Sequence, residues 1–114
     1  MKNCIFCRII AGESPARIIH EDEQLLVFHD LQPQAPVHLL LVPKKHLARI
    51  QDLTPADKEL MGHLLYTARS VAENLGLQQN GYRLVINNGR NGGQAVFHLH
   101  LHLLGGRPML WPPG

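Results

Sequence analysis

Long apolar runs are missing from this sequence of 114 residues. The apolar stretch from Val37 to Val42 is far shorter than the roughly 20 residues that a membrane-spanning helix needs. A second apolar stretch, from Cys4 to Cys7, is interrupted by Arg8 and does not resemble an export signal. We therefore expect a soluble, cytoplasmic protein that does not bind a membrane.

Cysteine is scarce and charge is nearly balanced. With only two cysteines the chain has no disulfide framework, and a domain of this length buries roughly two-thirds of its unfolded surface. No repeat or linker-like stretch divides it, so we expect one domain over residues 1–114. The formal net charge is +2, and the eleven Lys and Arg residues are scattered, with one adjacent pair at Lys44 and Lys45. Nucleic-acid binding needs a basic stripe or patch, so we expect no nucleic-acid partner, whereas a small anionic ligand fits this charge.

Turn signals and hydrophobic periodicity divide the chain into two helices and five strands. The helices are predicted at 6–11, closed by Gly12, and from Thr54 to Gly76, with Pro55 at the first helical position. The strands are predicted at 17–20, 24–29, 37–42, 82–86 and 96–104, and the first two form a hairpin. The pattern is typical of an α+β domain with a five-stranded antiparallel sheet, one long helix and one short helix.

Histidine is the unusual residue in the composition, and three of the eight occur at alternate positions, namely His98, His100 and His102. Neighbouring side chains on a strand point to opposite faces, so these three rings are predicted to share one face. The opposite, core-facing side would carry Phe97, Leu99, Leu101 and Leu103. A single buried histidine is most often a hydrogen-bonded core residue, but three in a row are costly unless each has a partner, a metal or a substrate. One metal ion held by all three is disfavoured, because positions along one strand do not converge tetrahedrally.

A glycine-rich loop precedes the histidines. Gly92 and Gly93, followed by Gln94, are predicted to present backbone N–H groups to phosphate oxygens, because glycine leaves the backbone accessible. A loop of this kind beside three histidines indicates phosphoryl or nucleotidyl transfer.

These motifs resemble those of a known family. The stretch from Gly93 to Gly106 resembles the signature of the histidine triad (HIT) family, in which three histidines alternate with apolar residues. Four flanking segments resemble the branch of histidine triad nucleotide-binding proteins, the purine nucleoside phosphoramidases: Phe28-His-Asp-Leu31, Pro33-Gln-Ala-Pro-Val-His38, Val42-Pro-Lys-Lys-His46 and Trp111-Pro-Pro-Gly114. The resemblance covers nearly the whole chain and implies a single HIT domain.

The resemblance implies hydrolysis of the P–N bond in purine nucleoside 5′-monophosphoramidates, through a covalent nucleotidyl-histidine intermediate and without a cofactor. The family's nucleophile corresponds to His100. His98 and His102 correspond to its two neighbours, with His102 implied to contact the leaving group, and His38 corresponds to a histidine of the adjacent strand that completes the cluster. A neutral imidazole serves as a nucleophile when a hydrogen bond to its other nitrogen fixes the tautomer.

The resemblance also implies a site for a purine nucleotide of the AMP type. Asp30 corresponds to the acceptor of the ribose hydroxyls, with a turn-forming aspartate as the alternative. Phe28, Leu31 and Ile9 are candidates for the base pocket, although ordinary core residues would look the same. Asn87 corresponds to an asparagine near the phosphate, with a turn role as its alternative. The full implied set is Asp30, Phe28, Leu31, Ile9, Asn87, Gly93, Gln94, Ala95, His100 and His102.

The two cysteines form a separate motif, Cys4-Ile-Phe-Cys7, whose spacing suits zinc. His46 and His98 are the candidates for the remaining ligands, because some histidine triad relatives with such a pair bind a structural zinc ion in this way. Two free thiols on a short helix are the alternative. If His98 binds zinc, it becomes a positioning residue for His100 and is not free for proton transfer.

The apolar tail after Arg107 also matches the family. It implies a homodimer in which two five-stranded sheets join into one of ten strands, with the tail near the partner's active site. A tail tucked against its own domain is the alternative.

Three other functions compete with phosphoramidate hydrolysis. They are dinucleoside polyphosphate hydrolysis, nucleotide binding by a scaffold with weak catalysis, and a structural role that depends on zinc. Ala95 favours the scaffold, because relatives commonly carry a serine or threonine there whose hydroxyl is implied to help the leaving amine. Its absence predicts slower turnover or a different leaving-group preference.

Overall fold

The computed structural model describes residues 3–114 and confirms the predicted α+β architecture. The chain runs through α1 (Ile5–Ile10), β1 (Ile18–Glu21), β2 (Leu25–His29), β3 (Val37–Pro43), α2 (Lys58–Asn74), β4 (Tyr82–Val85) and β5 (Leu101–Gly105). Two 3₁₀ turns, Ile50–Asp52 and Pro55–Asp57, precede α2. The five strands form one antiparallel sheet in the order β1-β2-β3-β5-β4, so β1 and β4 are its edges.

Alternating side chains give the sheet two apolar faces. In β2, Leu25 and Val27 belong to the core under α2, whereas Leu26 and Phe28 belong to the core under α1. The core under α2 is the larger and includes Leu39, Leu41, Leu60, Leu64, Val71, Leu101 and Leu103. The core under α1 includes Phe6, Ile9, Leu40 and Val42. Each fully buried leucine contributes roughly 1.5–3 kcal/mol to folding, so both helices are held mainly by these contacts.

Helix α2 ends where the sequence signals predict, but it begins three residues after the predicted first helical position, Pro55, since Pro55–Asp57 form a 3₁₀ turn. The backbone N–H of Thr54 donates to the buried carboxylate of Asp57 (2.9 Å), and Lys45 Nζ donates to its other oxygen (2.6 Å). The helix ends at Asn74, and Gly76 follows with a φ of 73°, a left-handed conformation that favours glycine. Within residues 3–114, no helix has the length and apolar character that crossing a membrane requires.

A cluster of three polar side chains joins the turn between β1 and β2 to α2. Asp22 Oδ2 accepts hydrogen bonds from the Nε2 atoms of His20 and His63, both at 2.9 Å. Its Oδ1 accepts the backbone N–H groups of Gln24 (2.8 Å) and Leu25 (2.9 Å). Because His63 lies in α2, one carboxylate both shapes the turn and connects the hairpin to the helix.

The prediction for the last strand is too long. Strand β5 begins only at Leu101, and the residues before it bend instead of extending. Long-range hydrogen bonds cause the bend: the N–H of Leu99 donates to the carbonyl of Leu47, and the His98 ring donates to the carbonyl of Pro43. The histidines therefore do not form one regular row on a strand.

The bend also changes which apolar residues are buried. Leu99, Leu101 and Leu103 are buried as predicted, but Phe97 is 51% exposed. The expectation that Phe97 faces the core is therefore wrong, because strict alternation does not hold before β5 begins.

The C-terminal tail lies exposed on the domain. Leu110 and Trp111 are 78% and 82% exposed, and Arg83 Nη2 donates to the carbonyl of Leu110 (2.9 Å). The alternative of a tail tucked into its own domain is therefore wrong.

Candidate active site and metal centre

A cavity of about 340 Å³ on the α1 side of the sheet gathers most of the predicted site residues. Nine of the ten predicted nucleotide-binding residues line it: Asp30, Phe28, Leu31, Ile9, Asn87, Gly93, Ala95, His100 and His102. Phe28 and Ile9 are buried in the core beneath it, whereas Leu31 is exposed. The volume is within the range of small-molecule sites.

His100 is buried, and its two ring nitrogens have different surroundings. Nδ1 lies 2.6 Å from the carbonyl oxygen of His98, and because a carbonyl only accepts, Nδ1 carries the proton. Nε2 therefore holds a lone pair, and the ring lines the cavity. Burial lowers the pKa of His100, because the charged ring would lose its hydration. The ring is consequently neutral near pH 7 and has the form that a nucleophile needs.

A second pair of rings, His38 and His102, lies beside it. The backbone N–H of Gln34 donates to His38 Nδ1 (3.0 Å), so the proton of that ring is on Nε2. His38 Nε2 donates to His102 Nδ1 (2.9 Å), which leaves the His102 proton on Nε2. Burial lowers the pKa of His38, and burial together with the neighbouring rings lowers the pKa of His102 to about 4. The cavity therefore holds one ring with a lone pair and one with an N–H, their centres 4.9 Å apart.

Asp30 both shapes a turn and lines the cavity. Its Oδ1 accepts the backbone N–H of Gln32 (2.8 Å), so the turn role is confirmed. Its Oδ2 lies 3.4 Å from His38 Nε2, on the same side as the paired rings. The contact with a ribose hydroxyl stays a prediction.

Gln94 is the predicted residue that lies outside the cavity lining. Its buried amide holds the glycine loop, because Oε1 accepts the N–H of Gly89 (2.8 Å) and Nε2 donates to the carbonyl of Ala48 (2.7 Å). The backbone N–H groups of Gly93 and Gln94 donate to the carbonyls of Arg90 and Gly89. The prediction that these two N–H groups bind phosphate is therefore wrong, because the loop uses them for its own turns.

The four predicted metal ligands converge beside α1. Cys4 Sγ lies 3.3 Å from His98 Nδ1. Cys7 Sγ lies 3.2 Å from His46 Nδ1, and the two Nδ1 atoms are 3.1 Å apart. All four ligand atoms lie within 4.8 Å of one another. Zinc bonds of about 2.0–2.3 Å place tetrahedral ligands roughly 3.3–3.8 Å apart, so the residues present fit a zinc ion.

The ring of His98 is fully buried and oriented toward the cysteines. Its Nε2 donates to the carbonyl of Pro43 (2.7 Å), so Nδ1 keeps a lone pair that is available to a metal. Burial lowers the pKa of His98, which also favours the neutral ring. The ring does not line the cavity, so the geometry favours a positioning role over proton transfer.

Comparison with known proteins identifies the family. A family model described as the HIT domain matches residues 11–109, which is most of the chain. The chain belongs to the HIT family. It is 56% identical over 113 residues to an uncharacterised HIT-like protein of Synechocystis, covering 99% of this chain and 98% of that one. It is similar to the crystal structure of a HIT family hydrolase from Legionella pneumophila, with a TM-score of 0.96 and 54% identity over 98% of this chain and 100% of that one.

The names of two further similar HIT proteins say what those proteins bind. One is a histidine triad nucleotide-binding protein from Candida albicans, with a TM-score of 0.83 and 33% identity over 96% of this chain and 83% of that one. The other is a zinc-bound histidine triad family protein from Mycobacterium smegmatis, with a TM-score of 0.78 and 35% identity over 93% and 76%. The HIT match begins at residue 11, so Cys4 and Cys7 precede it.

Sequence reasoning missed two residues of this HIT domain. Phe6 lines the cavity and lies edge-on to His100, with ring centres 4.9 Å apart. Its position between the cysteines is the signal that could have identified it. Gln34 acts through its backbone N–H, which fixes the proton of His38. Any residue except proline supplies such an N–H. The identity of the residue at position 34 therefore does not predict this role.

Proposed function

We propose that this HIT protein hydrolyses purine nucleoside 5′-monophosphoramidates through a nucleotidyl intermediate on His100. One observation carries the proposal: a lone pair on His100 Nε2 and an N–H on His102 Nε2 belong to the same cavity. A phosphoramidate needs both, because a nucleophile must attack phosphorus while the leaving nitrogen takes up a proton. The HIT hydrolase fold supports nucleotide hydrolysis in general.

The reaction has two steps. First, His100 Nε2 attacks phosphorus, the electron pair of the P–N bond moves to the leaving nitrogen, and His102 gives that nitrogen its Nε2 proton, which leaves an anionic His102 ring beside the cationic nucleotidyl-His100 ring. Second, water attacks the phosphorus of nucleotidyl-His100, and the electron pair of the bond to the ring returns to His100. One proton of that water goes to His102 Nε2, and its hydroxyl stays on phosphorus. Both rings end in their starting tautomers, and one water is consumed.

The rest of the cavity is proposed to bind the nucleotide. Asp30 Oδ2 accepts a ribose hydroxyl, and Asn87 contacts the phosphate. Phe28 and Ile9 provide the apolar floor for the base, and Leu31 covers its exposed side. The description of the Candida albicans relative as nucleotide-binding supports this use of the cavity.

The residue at position 95 affects which group can protonate the leaving nitrogen. Ala95 lines it with a methyl group, so no side-chain hydroxyl from this position reaches the leaving amine. His102 is therefore the group that we propose to protonate the leaving nitrogen.

We also propose that Cys4, Cys7, His46 and His98 hold a structural zinc ion. The spacing of their ligand atoms and the zinc-bound relative from Mycobacterium smegmatis support this assignment. Bound zinc would supply a fixed tetrahedral anchor. His98 then acts through its carbonyl, which holds the Nδ1 proton of His100 and so positions the nucleophile.

Substitution of the nucleophile tests the enzymatic proposal. The wild-type protein, His100→Ala and the control His20→Ala are incubated separately with an AMP–amine conjugate and with diadenosine polyphosphates, and AMP release is followed. We expect the conjugate to be cleaved, and His100→Ala to be slower by at least roughly 10³-fold. His20→Ala should retain wild-type activity, because His20 does not line the cavity. Mass spectrometry of rapidly quenched wild-type protein should show the chain with one AMP attached.

Two of the competing functions have outcomes of their own in this experiment. Cleavage that survives in His100→Ala would contradict the role of the nucleophile. Faster cleavage of diadenosine polyphosphates than of the conjugate would favour the dinucleoside polyphosphate hydrolase. Binding of AMP without any turnover would favour the scaffold.

A further inference from the structure

Arg107, two residues beyond the end of β5, contacts the loop that leads into β3. Its Nε and Nη2 atoms both donate to the carbonyl oxygen of Gln34, at 3.2 and 2.9 Å, and its Nη1 donates to the carbonyl of Pro108 (2.9 Å). The sheet register explains the approach, because Val37 of β3 pairs with Gly105 of β5 and the residues just outside the two strands stay close. The arginine itself does not line the cavity.

Gln34 connects this arginine to the paired rings. Its carbonyl binds Arg107, and its N–H donates to His38 Nδ1 (3.0 Å). His38 in turn donates to His102 Nδ1 (2.9 Å). The proline before Gln34 and the proline at the end of the loop have no N–H to offer instead. The orientation of the peptide group between Pro33 and Gln34 sets the direction of the hydrogen bond between the two rings, and Arg107 holds the next peptide group, that of Gln34 and Ala35.

If His38 had the opposite tautomer, the cavity would lose its proton donor, the N–H on His102 Nε2. If His38 carried its proton on Nδ1, that N–H would oppose the N–H of Gln34. The lone pairs of His38 Nε2 and His102 Nδ1 would also face each other across 2.9 Å. His102 would have to move its proton to Nδ1, and its Nε2 would become an acceptor.

We infer that Arg107 is a positioning residue that holds His102 in its donor tautomer through Gln34 and His38. A guanidinium suits the task because it directs two N–H groups at one carbonyl. Two hydrogen bonds restrict rotation of the Gln34 backbone more than one would. The effect on catalysis rests on the proposed function, but the position of the ring proton does not.

Two arginines of the chain form a matched pair for the test. Arg83 and Arg107 each donate to a backbone carbonyl of the C-terminal tail, Arg83 to that of Leu110, but Arg107 also reaches Gln34. The wild-type protein, Arg107→Ala, Arg107→Lys and Arg83→Ala are compared. Nitrogen-15 NMR of the histidine rings, without substrate, distinguishes an N–H nitrogen from one with a lone pair. The same samples give kcat and KM with the AMP–amine conjugate.

We expect His38 and His102 to carry their protons on Nε2 in the wild-type protein and in Arg83→Ala. In Arg107→Ala, His102 should be a mixture of both tautomers. Its kcat should fall roughly tenfold, less than the 10²–10⁴-fold loss expected when a general acid is removed. KM should be unchanged, because Arg107 does not line the cavity. Arg107→Lys, which keeps a single donor group, should lie between the two.

An unchanged tautomer of His102 in Arg107→Ala would overturn the inference, as would a wild-type His38 with its proton on Nδ1. Equal effects of the two alanine substitutions would also overturn it, because the tail would then be responsible. Failure of the proposed function has a different signature. The wild-type protein would leave the conjugate intact while its ring protons were found where we expect them.

Discussion

His98 divides two tasks between its side chain and its backbone. Its ring is turned toward the two cysteines by the carbonyl of Pro43, while its own carbonyl oxygen holds the Nδ1 proton of His100. The spacing of the motif predicts three rings on one face, but of the three only His100 and His102 line the cavity. The backbone carbonyl of His98 therefore supports one of the two rings that line the cavity.

Removing a single ligand tests the zinc proposal. We expect the wild-type protein, purified without chelator, to contain about one zinc ion per chain. Cys4→Ser and His46→Ala should lose most of it, because three ligands hold the ion more weakly than four. His63→Ala is the control, since His63 is also half-buried but lies in α2 outside the cluster. Zinc is measured by elemental analysis, and a wild-type protein free of zinc would contradict the proposal.

Side-chain identity made most of the site predictable, and backbone contacts made the rest unpredictable. Asp30 and His100 were predicted to belong to the site because of what a carboxylate and an imidazole can do, and both line the cavity. The positions of the ring protons depend on the carbonyls of Pro43 and His98 and on the N–H of Gln34. Every residue has a carbonyl, so the sequence does not show which of them will meet a ring.

At the scale of elements, the Asp22 cluster is the polar connection between the β1–β2 hairpin and α2. Burial raises the pKa of Asp22, but hydrogen bonds from His20, Gln24, His63 and Leu25 outweigh it and hold the pKa well below its usual range. A carboxyl with a lowered folded-state pKa stabilises the fold at pH values above its unfolded value of 3.8. That stability is lost as the pH falls further toward the folded-state pKa.

Asp22→Asn tests this connection. We expect it to lower the free energy of unfolding by about 1–2 kcal/mol at pH 7, because hydrogen bonds to a charged acceptor are lost. The difference from the wild-type protein should shrink below pH 3.8, where the unfolded carboxyl is protonated. Urea unfolding at neutral and acidic pH measures both values. Glu23→Gln, an exposed neighbour, should have little effect, and an Asp22→Asn loss that is independent of pH would contradict the explanation.

Local signals predicted the elements that local interactions stabilise. Helix α1 ends before Gly12, α2 ends before Gly76, and the β1–β2 hairpin forms around an acidic turn, as the sequence indicates, whereas a 3₁₀ turn separates Thr54 from the start of α2 at Lys58. The start of β5 was predicted five residues too early, from 96 instead of Leu101. The carbonyls that accept the hydrogen bonds of this bent segment belong to residues about fifty positions away. No local sequence pattern predicts such contacts.

At the scale of the whole molecule, one edge of the sheet lies beside exposed apolar side chains of α2. Strand β4 is an edge of the sheet, and Leu65 and Tyr66 of α2 are 58% and 62% exposed close to its half-buried Tyr82 and Leu84. An unpaired edge strand beside apolar side chains is a ready site for pairing with another chain. We propose that two copies join at β4 into a ten-stranded sheet.

Charge introduced at this surface tests the dimer. We expect sedimentation to give a dimer for the wild-type protein and a monomer for Leu65→Arg, because a buried unpaired arginine is costly. Ile19→Arg is the matched control, since Ile19 is an exposed apolar residue of β1, at the opposite edge. It should remain dimeric. A monomer from Ile19→Arg together with a dimer from Leu65→Arg would place the contact at the other edge.

The cluster of Cys4, Cys7, His46 and His98 joins distant parts of the chain, since Cys4 and His98 are 94 positions apart. Helix α1 has only six residues, too few to be stable alone, yet it supplies Phe6 and Ile9 to the wall of the cavity. During synthesis the cavity stays incomplete until the residues of the histidine motif have been made. A nascent chain therefore lacks the complete cavity until residues 100 and 102 have been made, and Cys4 lacks its contact with His98 until then as well.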